Sequence, residues 1–246
     1  MMIRSVAQPV IRDVGLDRGI PFRTGGGVNQ ATPTITIKYG LLYNWYAASD
    51  ERNITNIGCH IPTMTELGAL QTYLGGRSIA GGKIKETGYT YWDEPNTGAT
   101  NEVGFNARGS GIRLDSGDFG VINIICEIRS STWCAESYES EQIIYSGVNM
   151  ISSGYLIPIW GLSIRLLKDS TTLTHGQTGT YTGNDGKVYR TICIGTQEWL
   201  ADNLAETKYR NGDTIPEVTD NAAWAALTTG ALCAYDNDWN NAFTKQ

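Results

Sequence analysis

Thr63 and Glu66 stand three residues apart, directly before Leu67, Leu70 and Leu74, and Gly75-Gly76 close the run. A threonine hydroxyl at this spacing caps a backbone N–H of the first helical turn while the glutamate reaches back to the cap residue. The leucines give one apolar stripe, and the glycines supply the left-handed stop, so the spacing predicts a helix over 64–74. Two weaker helical signals accompany it. Leu41, Trp45 and Ala48 fall at i, i+4 and i+7 within residues 39–48, and Thr219-Asp220 opens a short helix with Trp224 and Leu227 on one side and Gly230 at its end. Residues 88–169 change character, with short aromatic and β-branched runs broken by Gly, Asn and Ser and ending in an alternating strand at 162–166. Residues 187–194 alternate as another strand, and 197–203 carry Trp199 and Leu200. The expected class is α+β: a loop-rich antiparallel sheet with two or three short helices.

The 246 residues, 41% of them hydrophobic, suffice for a substantial core. Residues 1–37 hold Pro9, Pro21, Gly25-Gly26-Gly27 and Pro33 and read as an extended N-terminal arm. Its spaced Val10, Ile11, Val14, Leu16 and Ile20 would let it add a strand to a neighbouring sheet, so attachment or oligomerisation and plain linker are equal readings. Residues 38–169 form the main globular part, and 170–184, rich in Thr, Gly and Ser, read as a linker or hairpin loop. The remaining segment, 185–246, has too few large apolar positions to stand alone and must pack on something larger.

Composition excludes several classes of function. There are 19 basic and 25 acidic residues, a formal charge of −6, and no run of Lys or Arg that would grip a phosphate backbone. Nowhere do about 18 apolar residues run together, so membrane insertion is not expected. The first residues lack a signal-peptide pattern, which predicts synthesis in the cytosol. Cys59, Cys126, Cys134, Cys193 and Cys233 form no C-x-x-C pair, and their odd number predicts free thiols. Only His60 and His175 are present; the first leads into the capped helix and reads as a packed or hydrogen-bonded residue, the second lies in the linker. Glu136, Glu139 and Glu141 supply carboxylates, yet glycoside hydrolysis needs two facing each other across a cleft, which loop spacing does not establish. Asp236-Asn237-Asp238 reads equally well as a turn and as a weak oxygen-ligand cluster. No enzyme activity, metal or cofactor is expected. Trp45, Trp92, Trp133, Trp199 and Trp224 are assigned to the scaffold core, while Trp160 and Trp239 stay open.

The strings YGLLYNWYAA (39–48), IGCHIPTMTELGALQTYLGG (57–76), AGGKIKETG (80–88), NTGATNEVGFNARGSGIR (96–113), SSTW (130–133) and GLSIRLLKD (161–169) resemble the Fibrobacter succinogenes major paralogous domain. DGKVYRTICIGTQEWLADNL (185–204) and DNAAWAALTTGALCAYDND (220–238) are similar to the opening of the same domain, here placed last. The resemblance implies a C-type-lectin-like fold, related to that of the formylglycine-generating enzyme, in which a helix-bearing part supports a loop-rich ligand face. The changed order leaves two arrangements open: a circular permutation in which 185–246 folds back onto 38–169, or completion of a neighbouring subunit in trans. The sulfatase-modifying relatives use two active-site cysteines, and none stands near 161–165 here. Glu94-Pro95-Asn96 resembles the sugar-binding tripeptide of calcium-dependent lectins, but it lacks a Trp-Asn-Asp partner and reads as chance.

Residues 114–160 depart from the regular pattern of such domains. Leu114, Asp115, Val121, Ile125, Arg129, Cys134, Tyr145, Val148, Tyr155, Leu156, Ile157 and Ile159 all belong to the residue types reachable from an asparagine codon by adenine replacement. This resembles the variable positions of proteins diversified by a diversity-generating retroelement. The resemblance implies a receptor-binding face, with an apolar patch at 155–160 rimmed by Arg129 and Asp115. For single residues such as Ile124 or Val148, a strand interior is the better reading. The leading expectation is a phage tail fibre or tail tip protein, made in the host cytoplasm and carried on the virion. It would bind a bacterial surface polysaccharide or protein and hold other tail proteins through its arm. Avidity predicts a homo-oligomer, a trimer by expectation. The alternatives are a bacterial surface adhesin or fibre component and an enzyme on a formylglycine-generating-enzyme-like fold.

Overall fold

The computed structural model describes residues 35–134, 137–144 and 151–245, with backbone alone at 35, 134, 137–144, 151–155 and 245. Nearly all of the expected N-terminal arm, together with Tyr145 and Val148, therefore lies outside the described residues. Residues 33–246 cluster as one unit.

The architecture is α+β, as the sequence predicts, with every pairing between named strands antiparallel. The strand β1 (Ile35–Ile37) precedes β2 (Leu42–Tyr43), the single-turn helix α1 (Trp45–Ala48) and β3 (Cys59–His60). Two helices follow, α2 (Met64–Tyr73) and α3 (Arg77–Ile84), and then the hairpin β4 (Ser110–Arg113) and β5 (Phe119–Ile122). A three-stranded sheet comes next: β6 (Ile125–Cys134), β7 (Ser137–Ile144) and β8 (Ile151–Leu156). The chain then runs through β9 (Leu167–Lys168), β10 (Thr178–Thr182), β11 (Val188–Ile194) and β12 (Gln197–Leu200). It ends in α4 (Asn221–Ala225), β13 (Leu232–Cys233), α5 (Trp239–Ala242) and β14 (Phe243–Lys245).

The capped helix forms as its sequence dictates: Thr63 Oγ1 accepts from Glu66 N, and the Glu66 carboxylate accepts from Thr63 N at 2.8 Å. The helix predicted over 39–48 shrinks to α1. Gly40 adopts φ +73, and a side chain there would strike Asn203 and the Leu204 carbonyl at 2.7 Å, so the chain crosses residues 203–204 extended and Leu42–Tyr43 pairs as a strand. Helix α3 has no counterpart among the expected elements, because Gly81-Gly82 in its last turn conceal it. The strand expected at 162–166 is replaced by isolated bridges at Leu162 and Ser163. Residues 161–167 are all buried, and Arg165 among them points inward, which removes the alternation. The helix predicted from Asp220 does form, yet it ends at Ala225, before Gly230.

The last quarter of the chain supplies central strands rather than an appendix. The five-stranded sheet runs β10-β11-β12-β9-β3, so β12 lies between β11 and β9 with Trp199 opposite Leu167. Leu232 and Cys233 pair with Tyr43 and Leu42. Residues 178–182 and 188–194 form a hairpin, so the second half of 170–184 belongs to that hairpin. Both main cores mix the two parts of the chain: one gathers Leu41, Tyr43 and Ile164 with Tyr189, Leu200 and Leu204, the other Leu67, Leu70, Trp92 and Phe105 with Trp199. Removing such side chains from water stabilises the fold by roughly 2–3 kcal/mol each.

Candidate functional site

Much of the framework around the site is irregular backbone whose carbonyls need donors, and buried arginines supply them. Arg165 donates to the carbonyls of Phe105 (2.5 Å), Leu200 (3.0 Å) and Asn106 (2.7 Å) and to Asn203 Oδ1. Arg113 lies between the rings of Phe119 and Trp224 and donates to the carbonyls of Gly117, Val218 and Thr219. Arg129 is 0% exposed and donates from Nη2 to Tyr43 O (2.9 Å) and Trp160 O (2.6 Å). The expectation that Arg129 rims an exposed patch is thus overturned. Position 129 lies in mid-strand, and its guanidinium holds the 157–160 turn from beneath.

Four pieces of chain meet above that support. Asn44, fully buried, caps α1 by accepting from Ala47 N and also accepts from Ala231 N, while its Nδ2 donates to Thr229 O. With α1 so fixed, Trp45 N donates to Pro158 O at 2.8 Å and ties α1 to the turn after β8. The Trp45 ring meets that of Trp133 with centroids 5.3 Å apart. Trp133 pairs with Tyr138 on β7, and Tyr138 pairs in turn with Leu156 on β8, so these positions form one row across the sheet. Leu114, Val121, Leu156 and Trp160 pack with Trp45 over Ile112 and Leu162. Trp160 Nε1 donates to Asp115 Oδ1 at 3.3 Å, and Asp115 is exposed.

Of the residues singled out in the sequence, Leu114, Asp115, Val121, Leu156 and Ile157 border this face. Ile157 is 43% exposed. Val121 holds φ +55, an uncommon conformation for a β-branched residue. Ile159 turns instead toward a second cluster around Leu42 and Trp224. Ile125 stands at the opposite end of β6, paired with Ile144, and is not brought to the face. The side chains of Cys134 and Tyr155 lie outside the described residues, as do Tyr145 and Val148.

Two tryptophans are reassigned. Trp92, Trp199 and Trp224 are completely buried as expected, whereas Trp133 is 48% exposed and Trp45 only partly covered. The sequence holds one pointer to this: Trp133 lies within residues 114–160, which depart from the regular pattern. Trp239 packs against the main core, and Trp160 belongs to the face.

Next to the indole pair, a cavity of ≈ 290 Å³ opens between α1 and β6, lined by Ser49, Asp50, Asn53, Thr55, His60 and Ser131 among others. Arg52 binds both Asp50 oxygens at 2.8 Å and holds that carboxyl below its usual value of 3.8. His60 is clamped by Asp169 Oδ1 at Nδ1 (2.6 Å) and by Glu66 Oε1 at Nε2 (3.1 Å), which occupies both ring nitrogens. His175 accepts from Gly195 N and lies against Tyr73, a packing role. Cys59, Cys126, Cys193 and Cys233 are free and buried, and burial pushes their thiols up, Cys126 to about 11 and Cys233 to about 12. Such thiols stay protonated near neutral pH and are poor nucleophiles. Asn96 is buried and donates to Glu86 O and Gly88 O, so in Glu94-Pro95-Asn96 this amide pins a loop. Among the described residues no group of three or more His, Cys, Asp or Glu is arranged to hold a metal ion.

A comparison with curated proteins finds no match, and neither does a comparison with solved structures. A family model does match: the Fibrobacter succinogenes major domain aligns over residues 25–168, so segment 185–246 lies beyond the aligned region. That region includes α1, β6 and the 157–160 turn, hence the whole candidate face. Because the alignment spans more than half of the 246 residues, the chain belongs to the Fibrobacter succinogenes major domain family.

Proposed function

We propose that this chain is a non-enzymatic receptor-binding protein of a phage tail fibre or tail tip that attaches to a bacterial surface glycan or protein through the face around Trp133 and Ile157. One observation carries the reading: Trp133 and Ile157, 48% and 43% exposed, flank Trp45 on one face, whereas the other exposed large apolar side chains among the described residues, Ile57, Tyr73, Ile79, Tyr89 and Val188, are spread over other elements and loops. Large apolar groups left in water cost free energy in the isolated protein, and such groups concentrate where a partner covers them. The aromatic and aliphatic groups sit on hydrogen-bonded supports, Asn44 and Arg129, so little ordering would accompany binding. The residue types of 114–160, all reachable from asparagine codons at the singled-out positions, agree with a surface whose side chains are replaced wholesale. In this reading the N-terminal arm holds other tail proteins, copies of the chain associate to raise avidity, and no cofactor takes part.

The test uses the purified full chain and permissive bacterial cells. Trp133→Ala should weaken cell binding by about 2 kcal/mol or more, roughly thirtyfold, with an unchanged thermal midpoint. Equal binding by wild type, Trp133→Ala and Ile157→Ala would overturn the reading. Mass spectrometry of purified virions should recover the chain, and its recovery from host cell envelopes in place of virions would favour the adhesin.

A further inference from the structure

The proposal above leaves the chemistry of the ligand open, and the cavity beside the indole pair narrows it. Ser131 of the lining and Trp133 are both exposed on β6, two residues apart across an irregular stretch of the strand, and Ser49 of the lining donates to Trp45 O, so the polar cavity and the indole pair are neighbours. The size, ≈ 290 Å³, is near the lower end of small-molecule pockets, which run from about 300 to 1,000 Å³, and suits a single ring.

The hydrogen-bonding groups are fixed before any ligand arrives. Asn53 Oδ1 accepts from both Thr55 N (2.9 Å) and Thr55 Oγ1 (2.7 Å), which orients the amide and leaves Nδ2 without a protein partner among the described residues. Ser49 Oγ donates to Trp45 O and keeps lone pairs available. Asp50 is steadied by Arg52 and retains acceptor capacity. Ser131 Oγ has no protein partner among the described residues. The wall therefore offers an amide donor, a carboxylate acceptor and two hydroxyls.

Charge decides which ring. Asp50 lines the cavity with its carboxylate already paired to Arg52, no Lys or Arg is in the lining, and His60 is held between two carboxylates, so an anionic group would find no cationic side chain in the wall to pair with. A neutral polyol can donate to Asp50 and accept from Asn53 while its C–H face lies on the indole of Trp133, the pairing of apolar body and polar edge that aromatic side chains serve.

We infer that the Trp133 indole and the cavity lined by Ser49, Asp50, Asn53 and Ser131 form a subsite for one neutral hexopyranose unit of a surface polysaccharide. The inference rests on the receptor-binding reading and sharpens it. Its test is saturation-transfer NMR and tryptophan fluorescence on the full chain with the methyl glycosides of glucose, galactose and mannose, N-acetylglucosamine, and glucuronate as the charged control. At least one neutral sugar should bind with a dissociation constant of about 1 mM, as a single weak site would, and glucuronate should not. Trp133→Ala and Asn53→Ala should each weaken that binding by roughly tenfold, and Tyr89→Ala, which removes an exposed ring outside the cavity lining and the face, should leave it unchanged. The inference falls if no neutral sugar binds, if glucuronate binds as well as they do, or if binding survives both substitutions. Cell binding separates the two claims. Loss of cell attachment in Trp133→Ala with no sugar bound would sink the subsite alone, whereas sugar binding with attachment indifferent to Trp133 would sink the receptor reading.

Discussion

Arg165 shows how a single side chain can organise backbone that no strand or helix serves. Its guanidinium is fully buried and meets three carbonyls and an amide oxygen drawn from residues 105–106, 200 and 203. Burial pulls its pKa down to about 10, still far above neutrality, so the charge persists. Arg165→Met would strand those acceptors at about 1–3 kcal/mol each, and a urea midpoint corresponding to at least 3 kcal/mol of lost stability is expected. Arg165→Lys, a point charge without the planar fork, should recover only part of that loss. Glu206 acts in the opposite sense. Burial, aided by the nearby Asp185 carboxylate, pushes its pKa from 4.5 up to about 7, while Tyr189 Oη donates to it at 2.7 Å. A carboxyl with a raised folded-state pKa contributes most below its unfolded value, and that contribution is lost as pH rises toward 7, a change of roughly 3 kcal/mol at most. Asp185 is lowered, so its own contribution disappears only as pH falls through the acid range below 3.8. Thermal midpoints compared at about pH 5 and about pH 8 should fall more for wild type than for Glu206→Gln; parallel changes would refute the assignment.

At the scale of elements, α1 depends on its cap. Asn44 joins Trp45–Ala48 to residues 229–231, so Asn44→Ala should cost about 1–2 kcal/mol in denaturant unfolding. It should also shift the Trp45 emission, because Trp45 N would no longer be held against Pro158 O. The contrast between α1 and α2 explains what could be seen in the sequence. The α2 signal is local: cap, stripe and stop lie within fourteen residues, and the helix appears at 64–73 where they predict it. Around α1 the competing signal is distant, since the partners of Leu42 and Tyr43 lie at 232–233 and 162, and periodicity at 39–48 cannot report them. The burial of Arg129 is hidden from the sequence for the same reason. Its residue type suits a codon pattern for an exposed site, but its strand position faces Tyr43 and Trp160. Trp133 is the reverse case, because a tryptophan in a recognisable motif suggests core whereas its place near the end of β6 leaves it half in water.

For the whole molecule, the decisive feature is that strands from both ends of the sequence share sheets. β12 separates β11 from β9, and β13 is the partner of β2, so residues 185–246 hold the centre of the five-stranded sheet. A chain ending at residue 184 would expose Leu41, Tyr43 and Trp92 and should lack cooperative unfolding by circular dichroism. Adding the 185–246 segment as a separate polypeptide should restore the transition, and a truncated chain that melts like wild type would contradict this topology. In the proposed function, a framework closed in this way would let side chains around Trp133 be replaced, because the half-exposed groups of the face rest on the core without being part of it. The most direct measurement takes the triple variant Asp115→Asn, Trp133→Ser, Ile157→Ser and records thermal unfolding and bacterial attachment on the same preparation. The account predicts a cooperative transition within about 5 °C of wild type, as surface changes cost little, together with attachment reduced to background. A variant that no longer folds, or one that folds and still attaches at wild-type strength, would contradict it.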